Sequence, residues 1–365
     1  MIENLSPNLQ SQVHQLQERW QRFAAHVKGR VEEVIAEANA GIDQLIAEHA
    51  FDHGPMGAAF SALQARFNGI DNRIDKGWED CEAAFEAVRD LDDLPERDLM
   101  WLNRIWSEWS RQHRQLRHET DLHYQLLETR KNADWARRLR ELAQREIEKG
   151  VSCTQCGGQV VPEVYWEASN VTCSHCQAVN SVKPGTAAAL MYQGLGAHAL
   201  SHEAALNEWV EEQNAKQRYD ELRHPTAYDH WLWLQAAHAY YTRYYQTMHH
   251  IHPGTPETVE QGVTNKLKHY TAYDPPLEQQ KRELMGRLLE AAYNKDEGTM
   301  RQLVQQLPHG VDLEECAWSL MEHGSPEGAE IMTNIRYDAE GETDPRRGWV
   351  QEQLRELEES IRTAG

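Results

Sequence analysis

Apolar residues recur at alternating intervals of three and four positions through most of the first 150 residues. This spacing puts them on one face of a helix, and two proline-containing segments, residues 51–55 and 92–95, interrupt it. The first helix is predicted to begin at Ser6-Pro7, where a capping residue precedes a first-turn proline. Because short connections between long helices make antiparallel neighbours, residues 1–150 are predicted to form a three-helix bundle or coiled-coil stalk.

Large aromatic side chains stand on the predicted apolar faces of the first two helices: Trp20, Phe23, Phe60 and Trp78. A lone three-helix stalk is not expected to cover all of them. We therefore expect the chain to associate with itself or to form a stable complex with a protein partner.

Four cysteines in residues 151–183 form a C-x2-C-x16-C-x2-C pattern: Cys153, Cys156, Cys173 and Cys176. Two thiolates on one tight turn can face a single cation, so this spacing indicates a tetrahedral metal site. Gly157 and Gly158 are expected to supply the positive φ that such a turn needs. The β-branched and aromatic residues between the pairs predict short antiparallel strands.

This segment resembles the zinc-ribbon superfamily over about 33 of the 365 residues. The four thiolates are expected to hold a structural Zn²⁺ and to leave no open coordination position for catalysis. Disulfides are disfavoured because the cytosol keeps thiols reduced. Iron in a rubredoxin-like site is the rival, but a fused di-iron bundle needs two Glu-x-x-His motifs, and only Glu221 to His224 matches.

The rest of the chain is predicted to be helical, from Thr186 as an N-cap onward, with one helix over residues 187–213. Proline-containing breaks separate a domain rich in histidine and aromatics, residues 184–273, from residues 274–365. The last region is predicted to contain a pair of α-hairpins and a final helix over residues 347–363. The fold class is therefore mainly α: a long N-terminal bundle, a small inserted β zinc ribbon and a C-terminal helical domain.

Two features of residues 184–273 carry weaker functional signals. His198 and His202 share one helical face at i and i+4, a geometry that can hold a second metal, although packing of buried histidines explains it as well. The tract 228–252 is crowded with Tyr, Trp and His on two adjoining faces, which suits either core packing or contact with a partner. The residues proposed for such contact are Trp231, Trp233, Tyr241 and Tyr245.

The charge balance argues against a nucleic-acid or anionic-membrane partner, because 58 acidic residues against 37 basic ones give a net charge of −21. The sequence has no apolar run near the roughly 18 residues that span a bilayer and no signal-peptide pattern at its start, so we expect no membrane insertion and a cytoplasmic location. No phosphate loop, dinucleotide fingerprint or nucleophile elbow selects a reaction.

Three hypotheses of function remain open from the sequence. The favoured one is a non-enzymatic, zinc-binding scaffold or adaptor for protein assembly. The second is a metal-dependent enzyme or redox protein with a His-rich site in residues 198–252, built around His198, His202 and His238. The third is a nucleic-acid-associated factor that acts through its ribbon.

Overall fold

The computed structural model describes residues 2–49, 51–91, 94–222, 227–271 and 276–304, with positions 306, 320, 327–332 and 334. The fold is mainly α, as predicted. Its helices are α1 (Pro7–Glu48), α2 (Gly54–Arg89), α3 (Glu96–Lys149), α4 (Thr186–Ala188), α5 (Gly196–Ala204), α6 (Leu206–Glu221), α7 (Ala227–Ile251), α8 (Val259–Thr271), α9 (Pro276–Tyr293) and α10 (Glu297–Val304). Its strands are β1 (Val151–Ser152), β2 (Gln159–Val160), β3 (Ser169–Thr172) and β4 (Val179–Val182). None of the helices described is both long and apolar enough to cross a bilayer.

The chain divides into two compact units. The first comprises Met1–Ala204 with Thr247–Gly254, and the second comprises Ala205–Gln246 with Thr255–Gly365. The domain boundaries expected at residues 150 and 183 lie inside the first unit, and the one expected at 273 lies inside the second.

The three-helix bundle in the first unit has the predicted helix boundaries to within a few residues. Its continuous core is formed by the apolar faces of α1, α2 and α3. The side chain of Asp52 accepts a hydrogen bond from the Gly54 N–H (2.8 Å) at the start of α2, where a helix lacks internal partners for its amides. At the start of α1, the Ser6 N–H donates to the Asp98 carboxylate of α3 (3.1 Å), and the Ser6 side chain makes no cap.

Aromatic rings fill the middle of this bundle. Trp78 stacks on Trp106, with ring centroids 4.6 Å apart, and meets Trp20 edge-on at 5.3 Å. Trp20 and Phe60 are buried, while Phe23 and Trp78 are half-buried. The bundle therefore buries two of the four aromatics and leaves the other two partly exposed, so Trp20 and Phe60 give no reason to expect association.

The single helix predicted over residues 187–213 is broken. α4 runs into a π-helical turn, Ala189–Gln193, and the chain then bends at Gly194 before α5 and α6. A β-carbon at Gly194 would lie 2.7 Å from the Leu190 carbonyl oxygen, so this close approach requires glycine. Thr186 is the first residue of α4, not its N-cap, and Gly185 stands at the N-cap position.

The second unit has its own buried apolar cluster, which includes Trp231 of α7 and Leu288 and Leu289 of α9. α9 and α10 pack against each other as the first of the two predicted hairpins. Most of the second hairpin lies outside the described residues, as does the predicted final helix.

Two glycines of α2 provide a matched test of the bundle packing. A β-carbon at Gly69 has nothing within 4 Å, whereas one at Gly77 would lie 2.5–2.9 Å from the Phe23 ring. We expect Gly69→Ala to stabilise the bundle by about 1 kcal/mol through helix propensity, and Gly77→Ala to lose that gain to the steric clash. Thermal and urea unfolding followed by helical circular dichroism measures both, and equal stabilisation would contradict this packing.

Candidate metal centre

The four cysteines lie on two small antiparallel β-hairpins. β1 pairs with β2 and β3 pairs with β4, and each hairpin carries two cysteines in the turn that joins its strands. Each turn is closed by two backbone hydrogen bonds of 2.7–3.0 Å, namely Cys153 N–H to Gly158 O, Gly157 N–H to Cys153 O, Cys173 N–H to Ala178 O and Gln177 N–H to Cys173 O. The two turns are therefore built alike.

Positive φ occurs at Gly157 (74°) and at its counterpart Gln177 (61°). Gly158, for which positive φ was also expected, does not have it. It is needed for a different reason, because a β-carbon there would lie 2.7 Å from the His175 ring and 3.3 Å from the Cys156 sulfur. The glycine pair thus serves one left-handed turn and one close approach between the hairpins.

The four sulfurs fit a single tetrahedral ion. The Sγ atoms of Cys153 and Cys176 lie 3.6 Å apart, those of Cys156 and Cys173 lie 3.7 Å apart, and all four lie within 4.8 Å of one another. A tetrahedron with metal–sulfur bonds of about 2.3 Å has edges of about 3.8 Å. Such a set of four thiolates suits zinc or iron and leaves no coordination position open.

Backbone amides lower the pKa of two of the four thiols and so favour the thiolate form that binds metal. The N–H groups of Cys156 and Gln155 lower the pKa of Cys153 to about 6, against the effect of burial. The N–H groups of Cys176 and His175 likewise lower the pKa of Cys173. For Cys176 the Ala178 N–H acts in the same direction, but the neighbouring thiols and burial prevail and raise its pKa to about 12. Full deprotonation of the cluster therefore depends on a cation among the sulfurs.

Glu146 lies near the end of α3, just before the hairpin module, and it binds the segment that follows the module. Its carboxylate accepts hydrogen bonds from the Ala187 N–H (3.3 Å) and the Ala188 N–H (3.2 Å) at the start of α4. A β-carbon at Gly185 would collide with this carboxylate. The role of Glu146 has no local sign in the sequence, because its partners lie about 40 residues away.

Among the residues the structure describes, the four cysteines alone gather as three or more metal-binding side chains around a common point. His198 is exposed and His202 is half-buried on α5, and burial lowers the pKa of His202. Cys81 lies in the bundle core, where burial raises its thiol pKa to about 11. Cys316 is outside the described residues.

The residues proposed for partner contact on α7 differ in exposure. Trp231 is buried in the core cluster, with its ring against Gly286, and Tyr245 is buried with its ring against Gly262. Trp233 and Tyr241 are half-buried.

A buried carboxylate that sequence analysis missed lies beside these rings. Glu212 of α6 is 3% exposed, and its Oε1 accepts hydrogen bonds from Trp233 Nε1 (2.7 Å) and the Tyr270 hydroxyl (3.3 Å). Its Oε2 accepts one from Gln213 Nε2 (2.6 Å). Neutral donors thus satisfy the carboxylate and connect α6, α7 and α8 of the second unit.

The cluster of four cysteines on two small β-hairpins is consistent with a zinc-ribbon-like module. Comparison with known proteins gave no match to a family model, to a curated protein or to a solved structure. The candidate site therefore rests on its own geometry.

Replacing one ligand should unfold the hairpin module and leave the helices folded. We expect Cys156→Ser or Cys173→Ser to abolish stoichiometric metal binding and to unfold residues 151–183, since the hairpins bury little else. Helical circular dichroism should be largely retained. Cys81→Ala, a cysteine outside the cluster, is the control and should keep its metal. Normal zinc content in both ligand variants, measured by elemental analysis, would contradict the site.

Tyr245 and Tyr241 test how much of the aromatic tract is core. Tyr245→Ala should lower the free energy of unfolding by about 3–5 kcal/mol, the usual cost of removing a buried ring. Tyr241→Ala should cost less because its ring is only half-buried. Chemical denaturation of the two variants makes the comparison, and equal losses would be inconsistent with these placements.

Proposed function

We propose that this chain is a non-enzymatic scaffold or adaptor that holds one structural Zn²⁺ in a zinc ribbon and mediates protein assembly. The observation that carries the proposal is the complete set of four sulfurs around one point. A zinc ion with four thiolate ligands has no position for water or substrate and no redox chemistry, so it stabilises the fold of a module and does not catalyse a reaction.

The position of the ribbon between α3 and α4 supports a structural role for the metal. The two hairpins interrupt the passage from α3 to α4, and the Glu146 carboxylate fixes the chain on the far side of that interruption. A metal that folds the hairpins would therefore also hold the path of the chain between these helices.

Exposed apolar side chains support the assembly half of the proposal. Leu91, Leu99 and Met100 are 43%, 38% and 60% exposed in and beside the α2–α3 connection. These three residues lie within ten positions of one another in the sequence, and exposed apolar surface is a feature of protein contact sites. Tyr241 and Trp233 keep some accessible area on α7 and stay in the proposal as secondary contacts, whereas Trp231 and Tyr245 are occupied by internal packing.

The two alternatives lack a specific supporting observation. A His-rich enzyme site needs a second group of ligands, and within the described residues only the cysteines gather. A nucleic-acid role would use basic residues on the ribbon, yet residues 151–183 carry Lys183 as their single Lys or Arg.

Substitution of the exposed apolar residues tests the assembly role. We expect the purified chain to self-associate or to retain a protein partner, and the double variant Leu91→Glu with Met100→Glu to weaken that association about tenfold or more. The reason is that a central contact residue is commonly worth about 2 kcal/mol. Light scattering and chemical cross-linking at native concentration provide the measurement.

Phe51→Glu is the matched control, because Phe51 is 50% exposed in the other connection of the bundle. It introduces the same charge and should leave association unchanged. A strictly monomeric wild-type chain that retains no partner would argue against the scaffold role, whatever its zinc content.

A further inference from the structure

Asn180 is a buried polar residue where the other hairpin has an apolar one. It stands seven positions after Cys173, as Val160 stands seven positions after Cys153. Both side chains are buried, at 4% and 2% exposure. Since the two turns share the same backbone hydrogen bonds, an apolar residue would be expected at both positions, and a buried amide costs free energy unless it is fully hydrogen-bonded.

The amide of Asn180 uses all its hydrogen-bonding sites. Its Oδ1 accepts from the Thr154 N–H (2.9 Å) and the Thr154 hydroxyl (3.1 Å). Its Nδ2 donates to the Ala178 carbonyl (3.0 Å) and to the Cys153 sulfur (3.4 Å). The partners fix which end of the amide is which, because the Thr154 N–H can only donate and the Ala178 carbonyl can only accept.

We propose that Asn180 is a positioning residue for the metal: it reaches from the second hairpin to the first and donates a hydrogen bond to the Cys153 thiolate. This inference rests on the metal-binding half of the proposed function and is independent of the scaffold role. Val160, the counterpart of Asn180 in the first hairpin, has no side-chain donor. The hydrogen bond from Asn180 to the Cys153 sulfur therefore has no equivalent from the matching position of the other hairpin.

The donor has a physical consequence for metal binding. A hydrogen bond to a thiolate withdraws charge from the sulfur and orients its remaining lone pairs, which eases the repulsion among four anionic ligands. Partners that hold a metal ligand from outside the coordination sphere typically change metal affinity 10–100-fold. The Thr154 contacts fix the amide, and the Nδ2 contact acts on the metal ligand.

Two substitutions separate these contributions in the full-length chain. Asn180→Asp keeps an oxygen for Thr154 but turns a carboxylate oxygen toward the Cys153 sulfur, and Asn180→Val copies the residue of the other hairpin. We expect both to raise the dissociation constant for zinc, measured by chelator competition, about 10–100-fold. Ser181→Asp, on the exposed side of the same strand, introduces the same charge and should leave the constant unchanged.

Cobalt(II) gives a readout that a merely structural role would not move. Loss of a hydrogen bond raises the energy of the sulfur lone pairs, so the sulfur-to-cobalt charge-transfer absorption should shift to longer wavelength in Asn180→Val. Thr154→Val, which removes only the hydroxyl contact to Oδ1, should leave that absorption in place. The visible bands of tetrahedral cobalt at saturation show whether each variant still assembles all four thiolates.

The outcomes distinguish this inference from the proposed function. Zinc affinity and charge-transfer absorption equal to wild type in both Asn180 variants would overturn the role of Asn180 and leave the metal site standing. A wild-type chain that bound neither zinc nor cobalt would overturn both. If Asn180→Asp failed to assemble the site at saturating cobalt, Asn180→Val alone would decide the matter.

Discussion

Four cysteine sulfurs within 4.8 Å of one another impose the strongest physical constraint on this structure. As thiolates without a cation they would repel one another, and as thiols they would contribute only weak polar contacts. The hairpins have little apolar burial to hold them, because the buried part of their hydrophobic cluster is two cysteines and two valines, Cys153, Val160, Cys173 and Val182. The ordering of residues 151–183 therefore depends on what lies among the sulfurs.

The bundle in the same unit has a different source of stability. Its core is a continuous apolar face on each of three long helices, and it includes no group that requires a metal. Glu146 connects the bundle to the chain that follows the ribbon. It belongs to α3, and its carboxylate accepts hydrogen bonds from the amides of Ala187 and Ala188. This carboxylate thus joins the segment that leaves the cysteine module to a bundle that is stabilised by apolar burial.

Local pattern predicted most of the architecture. The breaks read at residues 51–55 and 92–95 match the gaps between α1, α2 and α3, because helical periodicity and proline act within a few residues. The cysteine spacing likewise identified the four sulfurs that meet.

What the sequence did not reveal depends on contacts across long separations. The sequence gives no sign that Asn180 is important, because its role depends on a comparison of the two hairpins. Its hydrogen bond to Thr154 spans 26 positions. The break at Gly194 was missed because the helical pattern continues through it, while a backbone contact with Leu190 decides the outcome. The burial of Glu212 has no local sign in the sequence, because its donors Trp233 and Tyr270 lie on other helices.

Three aromatic rings lie directly against glycines of neighbouring helices. The Trp231 ring lies against Gly286 of α9, the Tyr245 ring against Gly262 of α8, and in the bundle the Phe23 ring lies against Gly77. A glycine inside a helix costs about 1 kcal/mol relative to alanine, but it lets a ring lie directly on a helix backbone and bury a large area.

Two of these pairs give aromatic residues of α7 a packing role inside the protein. Some of its rings fill gaps in two neighbouring helices, and Trp233 places its N–H on a buried carboxylate. A dense run of Tyr and Trp is therefore weak evidence for a docking surface where the facing helices carry glycine. The exposed apolar residues beside the α2–α3 connection have no such internal explanation, so they are the stronger place to look for a partner.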